Sequence, residues 1–206
     1  MKGNRLRLYF STTSPYARVV RIALAEKGLA DVDGSVTDPW HDDPGLLAAN
    51  PSARVPAGVL DSGLPLTESL LIVLWLETQR PAPSLLGSEP DRAISRAGVA
   101  MGAIDAAAAI IISRRIDPAF DESPVGLRRR RSVIGALERL EADPPQLAAA
   151  VADLGAITTV VLLDYIRFRF ASAPWLPSVP QLDALALHSR DRVSFASTVP
   201  CDMPTP

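Results

Sequence analysis

The stretch LRLYFSTTSPYARVVRIALAEKG, residues 6–28, decides the fold. Leu6, Leu8 and Phe10 alternate with Arg7 and Tyr9, which is the period of a strand. Ser14 then stands where a helix N-cap belongs. Pro15 takes the first helical position, where a missing N–H costs nothing. Tyr16, Val19, Val20, Ala23 and Leu24 recur at helical spacing, and Gly28 is a ready stop. A strand running directly into a helix is therefore expected. The hydroxyl run Ser11-Thr12-Thr13-Ser14 between them serves as a polar approach to a cap, or carries chemistry, and the stretch alone leaves both open.

Working outward, residues 31–37 suit a second strand, and DPWHDDPG (38–45) is a loop by its Pro, Gly and Asp content. LLAANPSARVP (46–56) predicts a short helix that ends before an extended Val55-Pro56. AGVLDSGLPL (57–66) predicts two short strands around an Asp-Ser-Gly turn. Residues 70–76 have the composition of a buried strand, but the helix start at Thr67-Glu68-Ser69 and the continuation to Arg80 favour a helix. The order β-α-β-(α)-β-β-α gives a small α/β domain over 1–80. RPAPSLLGSEP (80–90), with three prolines and a glycine, is a linker over 81–90. Helices are expected beyond it over about 91–115, 124–142, 153–170 and 180–190, making 91–206 all-α.

Composition narrows the function classes. A net charge of −2 gives no general attraction to nucleic acid or to a membrane surface. RRRR at 128–131 is balanced by nearby Glu138 and Glu141, as on a solvated helix face. The single cysteine, Cys201, forms no internal disulfide. His41 and His188 are too few and too far apart for a zinc site, so no metal is expected. The N-terminus lacks the apolar core of a secretory signal. The runs LLIVLWL and TTVVLLDYI fall short of the roughly 18 residues that span a bilayer. A soluble, cytoplasmic protein is the expectation.

Three segments carry a resemblance: LYFSTTSPYARVVRIALAEKGL, NPSARVPAGVLDSGLPLTESLLIVLWLE and the final RVSFASTVP. Together they resemble the cytosolic glutathione S-transferases, and bacterial members with a tau-like Ser-Pro-aromatic helix start in particular. The resemblance implies a thioredoxin-like N-terminal domain that binds glutathione, followed by a helical domain lining a second-substrate pocket. It implies that the Ser14 hydroxyl donates to the glutathione sulfur, with Thr13 or Ser11 as the alternative donors. Val55, before a cis Pro56, would pair with the backbone of the tripeptide, and Arg54 would help hold its carboxylate end. Glu68 and Ser69 would hold the γ-glutamyl end, and His41 would reach the glycine end. Tyr16, Ile104, Ala107, Ala108 and Ile111 would face a small hydrophobic electrophile. A homodimer follows from the resemblance alone.

A hydroxyl suffices for the chemistry. A free thiol titrates near about 8.5, and lowering that by two units requires about 2.7 kcal/mol of preferential anion stabilisation. A hydrogen bond to a charged group supplies about 1.5–3 kcal/mol, and a helix N-terminus adds about 0.3–1 kcal/mol. Capping and donation are compatible, because a cap uses an oxygen lone pair and leaves the proton free. Two rival functions remain. A glutathione-dependent reductase or dethiolase normally wants cysteine at position 14, while isomerisation, dehalogenation and peroxide reduction stay open as alternatives to conjugation. A non-catalytic glutathione-binding or assembly module would keep Val55, Pro56, Glu68 and Ser69. One departure from the family pattern lies at DLGA (153–156): Asp153 can cap the central helix, but Ala156 stands where a reciprocal carboxylate completes a capping box.

Overall fold

A computed structural model describes residues 5–29, 32–171 and 173–203. The chain divides into two compact units, residues 1–85 with 193–206, and residues 86–192. The helical half expected over 91–206 therefore ends at Arg192, and the C-terminal tail groups with the α/β unit. The tail does so because Thr12 and Cys201 bond each other's backbone carbonyls, and Arg18 Nε donates to Thr198.

In the first unit, β1 (Leu6–Phe10) leads into α1 (Pro15–Glu26), then β2 (Asp33–Val36), α2 (Pro44–Ala49), β3 (Ala57–Leu60), β4 (Pro65–Thr67) and α3 (Ser69–Gln79). Asp31, the start of the expected second strand, lies outside the described residues. The sheet order is β2-β1-β3-β4, with β1 parallel to β2 and antiparallel to β3, and β3 antiparallel to β4. This is the thioredoxin-like arrangement. Strand alternation sends Tyr9, Ala57 and Val59 to one face, where they pack with Val55 and with Leu46 and Ala49 of α2. Leu6 and Leu8 point to the opposite face and are buried. Helices α1 and α3 pack on each other, burying Val19, Val20 and Ile22 of one and Ile72, Val73 and Leu76 of the other. Each such side chain is worth about 1.5–3 kcal/mol when fully buried.

Lys27 closes this unit in a way the sequence concealed. Its side chain has no exposure and pairs with Glu77. Its Nζ also donates to the carbonyls of Arg80 at 2.6 Å and Pro83 at 2.5 Å. Glu77 in turn accepts from the Leu85 N–H at 2.9 Å and Ser84 Oγ at 3.2 Å. The segment after α3 is thereby tied to the end of α1. A short helix near the C-terminus, Val193–Ala196, also belongs to this unit and packs against α1.

The second unit contains α4 (Pro90–Ser113), α5 (Pro124–Ala142), α6 (Leu154–Phe170) and α7 (Pro180–Ser189). These match the four expected helices to within about two residues at either end. A 3-10 turn at Phe120–Glu122 was not foreseen. Helix α6 is buried on nearly all sides over Leu154–Ile166, where Thr158, Thr159 and Asp164 are the polar residues in an otherwise apolar stretch. Asp153 caps it by accepting from the Ala156 N–H at 2.8 Å, so half a capping box suffices. By length and composition alone α4 is long and apolar enough to cross a membrane, which the two short runs considered above are not. Here it packs against α5 and α6.

Candidate functional site

The sheet register brings the candidate residues to one end of the first unit. Tyr9 pairs with Ala57, and Ala57 with Thr67. Ser14 lies five residues beyond Tyr9, Val55 two before Ala57, and Ser69 two after Thr67. Because β3 runs against β1 and β4, all three segments leave the sheet at the same end. Phe10 pairs with Val36 in the parallel β2, so the loop carrying Trp40 and His41 leaves there as well. Helices α1 and α3 both begin at this end; the first turn of α1 has no acidic residue to offset its positive N-terminus, whereas α3 has Glu68 as its N-cap.

Ser14 is the N-cap of α1. Its Oγ accepts from the Ala17 N–H at 3.2 Å, and its side chain is part-exposed. No acceptor for its hydroxyl proton is found among the described residues. The neighbouring hydroxyls are engaged. Ser11 is 2% exposed and bonds Thr13 at 2.9 Å and Met203 Sδ at 3.2 Å. Thr12 donates to the Cys201 carbonyl at 2.9 Å. About two turns along α1, the Arg21 guanidinium lies 4.4 Å over the Phe10 ring. Burial lowers its pKa, although an arginine remains charged.

Val55 is buried and precedes Pro56 through a cis peptide bond. The Val55 N–H and C=O make no hydrogen bond to a described residue. The approach is held by Asn50, whose amide donates to the Arg54 carbonyl at 2.8 Å and whose Oδ1 accepts from the Ser52 N–H. Asn50 is a positioning residue that spacing did not single out; its place before Pro51 reads as an ordinary turn. Arg54 itself is exposed and has no ion pair among the described residues.

Glu68 and Ser69 form the most unusual corner. Glu68 has φ of 68°, a left-handed conformation that non-glycine residues rarely adopt. Its exposed side chain makes no capping bond. Ser69 follows at the first position of α3 and is 1% exposed, yet its Oγ has no hydrogen-bond partner. A buried hydroxyl without a partner thus sits beside a left-handed backbone residue at a helix N-terminus, an end that favours negative charge.

The remaining candidates are dispersed. His41 is exposed, and its Nδ1 lies 3.5 Å from Asp38 Oδ2. Tyr16 is part-buried on α1. In the helical unit Ile104 and Ala107 have no exposure and Ala108 has 6%, whereas Ile111 keeps part of its surface. No cluster of three or more metal-ligating side chains occurs among the described residues. A cavity of about 950 Å³ lies at the other end of the sheet, lined by Arg5, Leu6, Arg7, Leu60, Trp75 and Arg80 among others. None of the candidate residues lines it.

Comparison with known proteins is consistent with this geometry. The family model described as glutathione S-transferase, N-terminal domain, matches residues 13–79. A glutathione S-transferase from Methylobacterium radiotolerans, solved in complex with glutathione sulfonate, is 33% identical. That likeness covers 98% of each chain, with a TM-score of 0.83. An uncharacterized GST-like protein of Escherichia coli, YibF, is 28% identical over 95% of this chain and 98% of its own. Maleylacetoacetate isomerase of Pseudomonas aeruginosa is 42% identical over 100 residues, 47% of this chain and 46% of its own. A likeness of this extent to a solved relative, on a sheet whose register gathers the serine, the cis-proline and the Glu-Ser corner, establishes that the chain belongs to the glutathione S-transferase family.

Proposed function

We propose that this protein binds glutathione at the end of the sheet described above and activates its thiol for attack on a small hydrophobic electrophile. The observation that carries the reading is the unpartnered, buried Ser69 hydroxyl at the start of α3. A γ-glutamyl carboxylate at that helix N-terminus takes the hydroxyl and the helix field together. Glu68 then faces the α-ammonium. The free backbone groups of Val55 pair with the cysteinyl residue in a short β-ladder. Arg54 and, more remotely, His41 attend the glycine end.

Under this reading the sulfur lies against Ser14. The Ser14 oxygen already accepts the Ala17 N–H, so its proton is free to donate. Donation to the thiolate and the uncompensated N-terminus of α1 lower the thiol pKa, and the released proton passes to solvent. The thiolate attacks an electrophilic carbon, forming the C–S bond while a leaving group departs or the adjacent carbon takes up a proton. Ser14 acts throughout as a hydrogen-bond donor and never as a base. Such catalysis consists of positioning and anion stabilisation. Tyr16, part-buried on α1, is the proposed contributor of this unit to electrophile binding. A homodimer in the cytoplasm completes the proposal.

A second reading concerns the reaction rather than the site. The 42% identity to an isomerase over about half of each chain favours one in which the thiolate adds to a conjugated double bond, the bond rotates, and the sulfur leaves. Glutathione is then regenerated.

The test is Ser14→Ala, followed by conjugation rate and by thiolate ultraviolet absorbance of bound glutathione. The expected result is a fall of about 10- to 100-fold in rate at neutral pH, the worth of one hydrogen bond to a charged sulfur. A matching rise in the thiol pKa and little change in glutathione affinity should accompany it. A persistent thiolate with an unchanged rate refutes the role of Ser14.

A further inference from the structure

The run Ser11–Ser14 offers four hydroxyl protons within one turn of chain, and the C-terminal segment governs where three of them go. The Thr12 proton has one strong acceptor, the Cys201 carbonyl at 2.9 Å; the Asp202 carbonyl and Met203 Sδ, both at 3.4 Å, are weaker alternatives, and all three lie in the C-terminal segment. Ser11 lies 3.2 Å from Met203 Sδ and 2.9 Å from Thr13 Oγ1. A thioether only accepts, so the Ser11–Met203 bond exists only when Ser11 spends its single proton on it. Thr13 must then be the donor in the Ser11–Thr13 bond. The Thr13 N–H also donates to Ser11 Oγ at 3.3 Å, which loads Ser11 further as an acceptor. With that chain of donations in place the protons of Ser11, Thr12 and Thr13 all point into the protein. Only the Ser14 proton is left to face a ligand.

We propose that Met203, held on the strand-to-helix turn by the Thr12–Cys201 pairing, is a positioning residue that selects Ser14 as the sulfur's hydrogen-bond donor by drawing the Ser11 and Thr13 protons inward. The inference rests on the glutathione reading given above and adds to it the reason why one hydroxyl of the run acts. Without the sulfur acceptor, the buried Ser11 hydroxyl has Thr13 Oγ1 as its nearest partner. The Thr13 proton is then released toward the site, where it competes with that of Ser14. A merely structural tail would weaken folding without changing which hydroxyl the thiolate uses.

The experiment compares the Ser14→Ala loss in two tails, native and Met203→Leu, with thiolate absorbance of bound glutathione against pH as the readout. In the native tail the full loss is expected. In the Met203→Leu tail Thr13 takes over in part, and the loss shrinks by about three- to tenfold, which lies within the coupling found in one hydrogen-bond network. Adding Thr13→Val to the double variant restores the full loss. An independent arm uses methionine labelled at its methyl carbon. The Met203 resonance, assigned by its disappearance in Met203→Leu, should move in Ser11→Ala and stay fixed in Ser14→Ala. A Met203 signal indifferent to Ser11 overturns the inference at its base. Equal Ser14→Ala losses in the two tails, with glutathione bound and the methyl shift present, overturn the selection alone. A wild-type protein that binds no glutathione overturns the function reading and this inference with it.

Discussion

Ser69→Ala separates stability from function at one atom. In the ligand-free protein the Ser69 hydroxyl is 1% exposed and has no hydrogen-bond partner. Leaving a hydroxyl desolvated and unpaired costs about 1–3 kcal/mol. Deleting it removes that cost and gives up only the packing of one oxygen atom. The free variant should therefore be more stable by about 1 kcal/mol, raising Tm by about 2–4 °C in a chain of this length. Glutathione binding should move the other way. A hydrogen bond from Ser69 to a carboxylate is worth about 1.5–3 kcal/mol, so Kd should rise about 10- to 100-fold. On the proposed reading the contact is to the γ-glutamyl end, so the rate at saturating glutathione should stay close to that of the wild type, in contrast to Ser14→Ala. Thermal unfolding without ligand and calorimetric titration with glutathione measure the two effects on the same preparations. A Kd within threefold of the wild type would show that no carboxylate meets this hydroxyl. A Tm lowered by several degrees would show that the hydroxyl already has a partner in the free protein.

Two further predictions concern the two units separately. Lys27→Met leaves the Glu77 carboxylate and two carbonyls without their cation. Removing one partner of a buried pair costs about 3–5 kcal/mol, so a Tm lower by about 6–20 °C is expected by calorimetry. Adding Glu77→Gln should recover part of that loss, since the carboxylate is then no longer stranded. In the helical unit, hydrogen bonds from Arg114 hold the Asp121 carboxyl below its usual range, with burial opposing and Arg130 adding to the effect. A depressed folded-state pKa contributes stability that is complete above the unfolded value of about 3.9 and is lost as pH falls through the folded one. The Tm gap between wild type and Asp121→Asn should be constant from neutral pH to about 5 and should close below about 4. A gap that widens with acid would refute the sign.

Much of the architecture was legible because local signals agreed with one another. Alternation at 6–10, the Ser14-Pro15 cap, the Asp-Ser-Gly turn and the apolar 70–76 run each specify an element whose neighbours leave it one role. The candidate site was legible in a weaker sense. Ser14, Val55-Pro56 and Glu68-Ser69 could be named from a resemblance, and the sheet register then brought them to one end. What no local pattern could reveal is the state of each group. Glu68 carries no sign in the sequence of a positive φ, since nothing about glutamate favours that conformation. Lys27 looks like a solvated charge near a helix end. Its burial follows from carbonyls 53 and 56 residues away that must be satisfied.

The hydroxyl run shows why such states escape the sequence. Ser11, Thr12, Thr13 and Ser14 are nearly equivalent as local choices, each able to cap, to turn the chain or to donate. What distinguishes them is where their protons are already committed, and the acceptors for Ser11 and Thr12 lie 192 and 189 residues along the chain. Donor capacity is a conserved quantity at each hydroxyl, one proton and no more, so an acceptor supplied from afar removes a candidate as surely as a mutation would. The proposed role of Ser14 is thus a statement about what the other three hydroxyls can no longer do. It predicts that truncation after Pro200 should blur the difference between Ser14→Ala and wild type, while a tail whose residue 203 is any side chain lacking an acceptor should do the same with the fold intact. Should truncation leave that difference at full size, the selection would lie in the geometry of α1 alone, in the one hydroxyl that stands at the mouth of the helix.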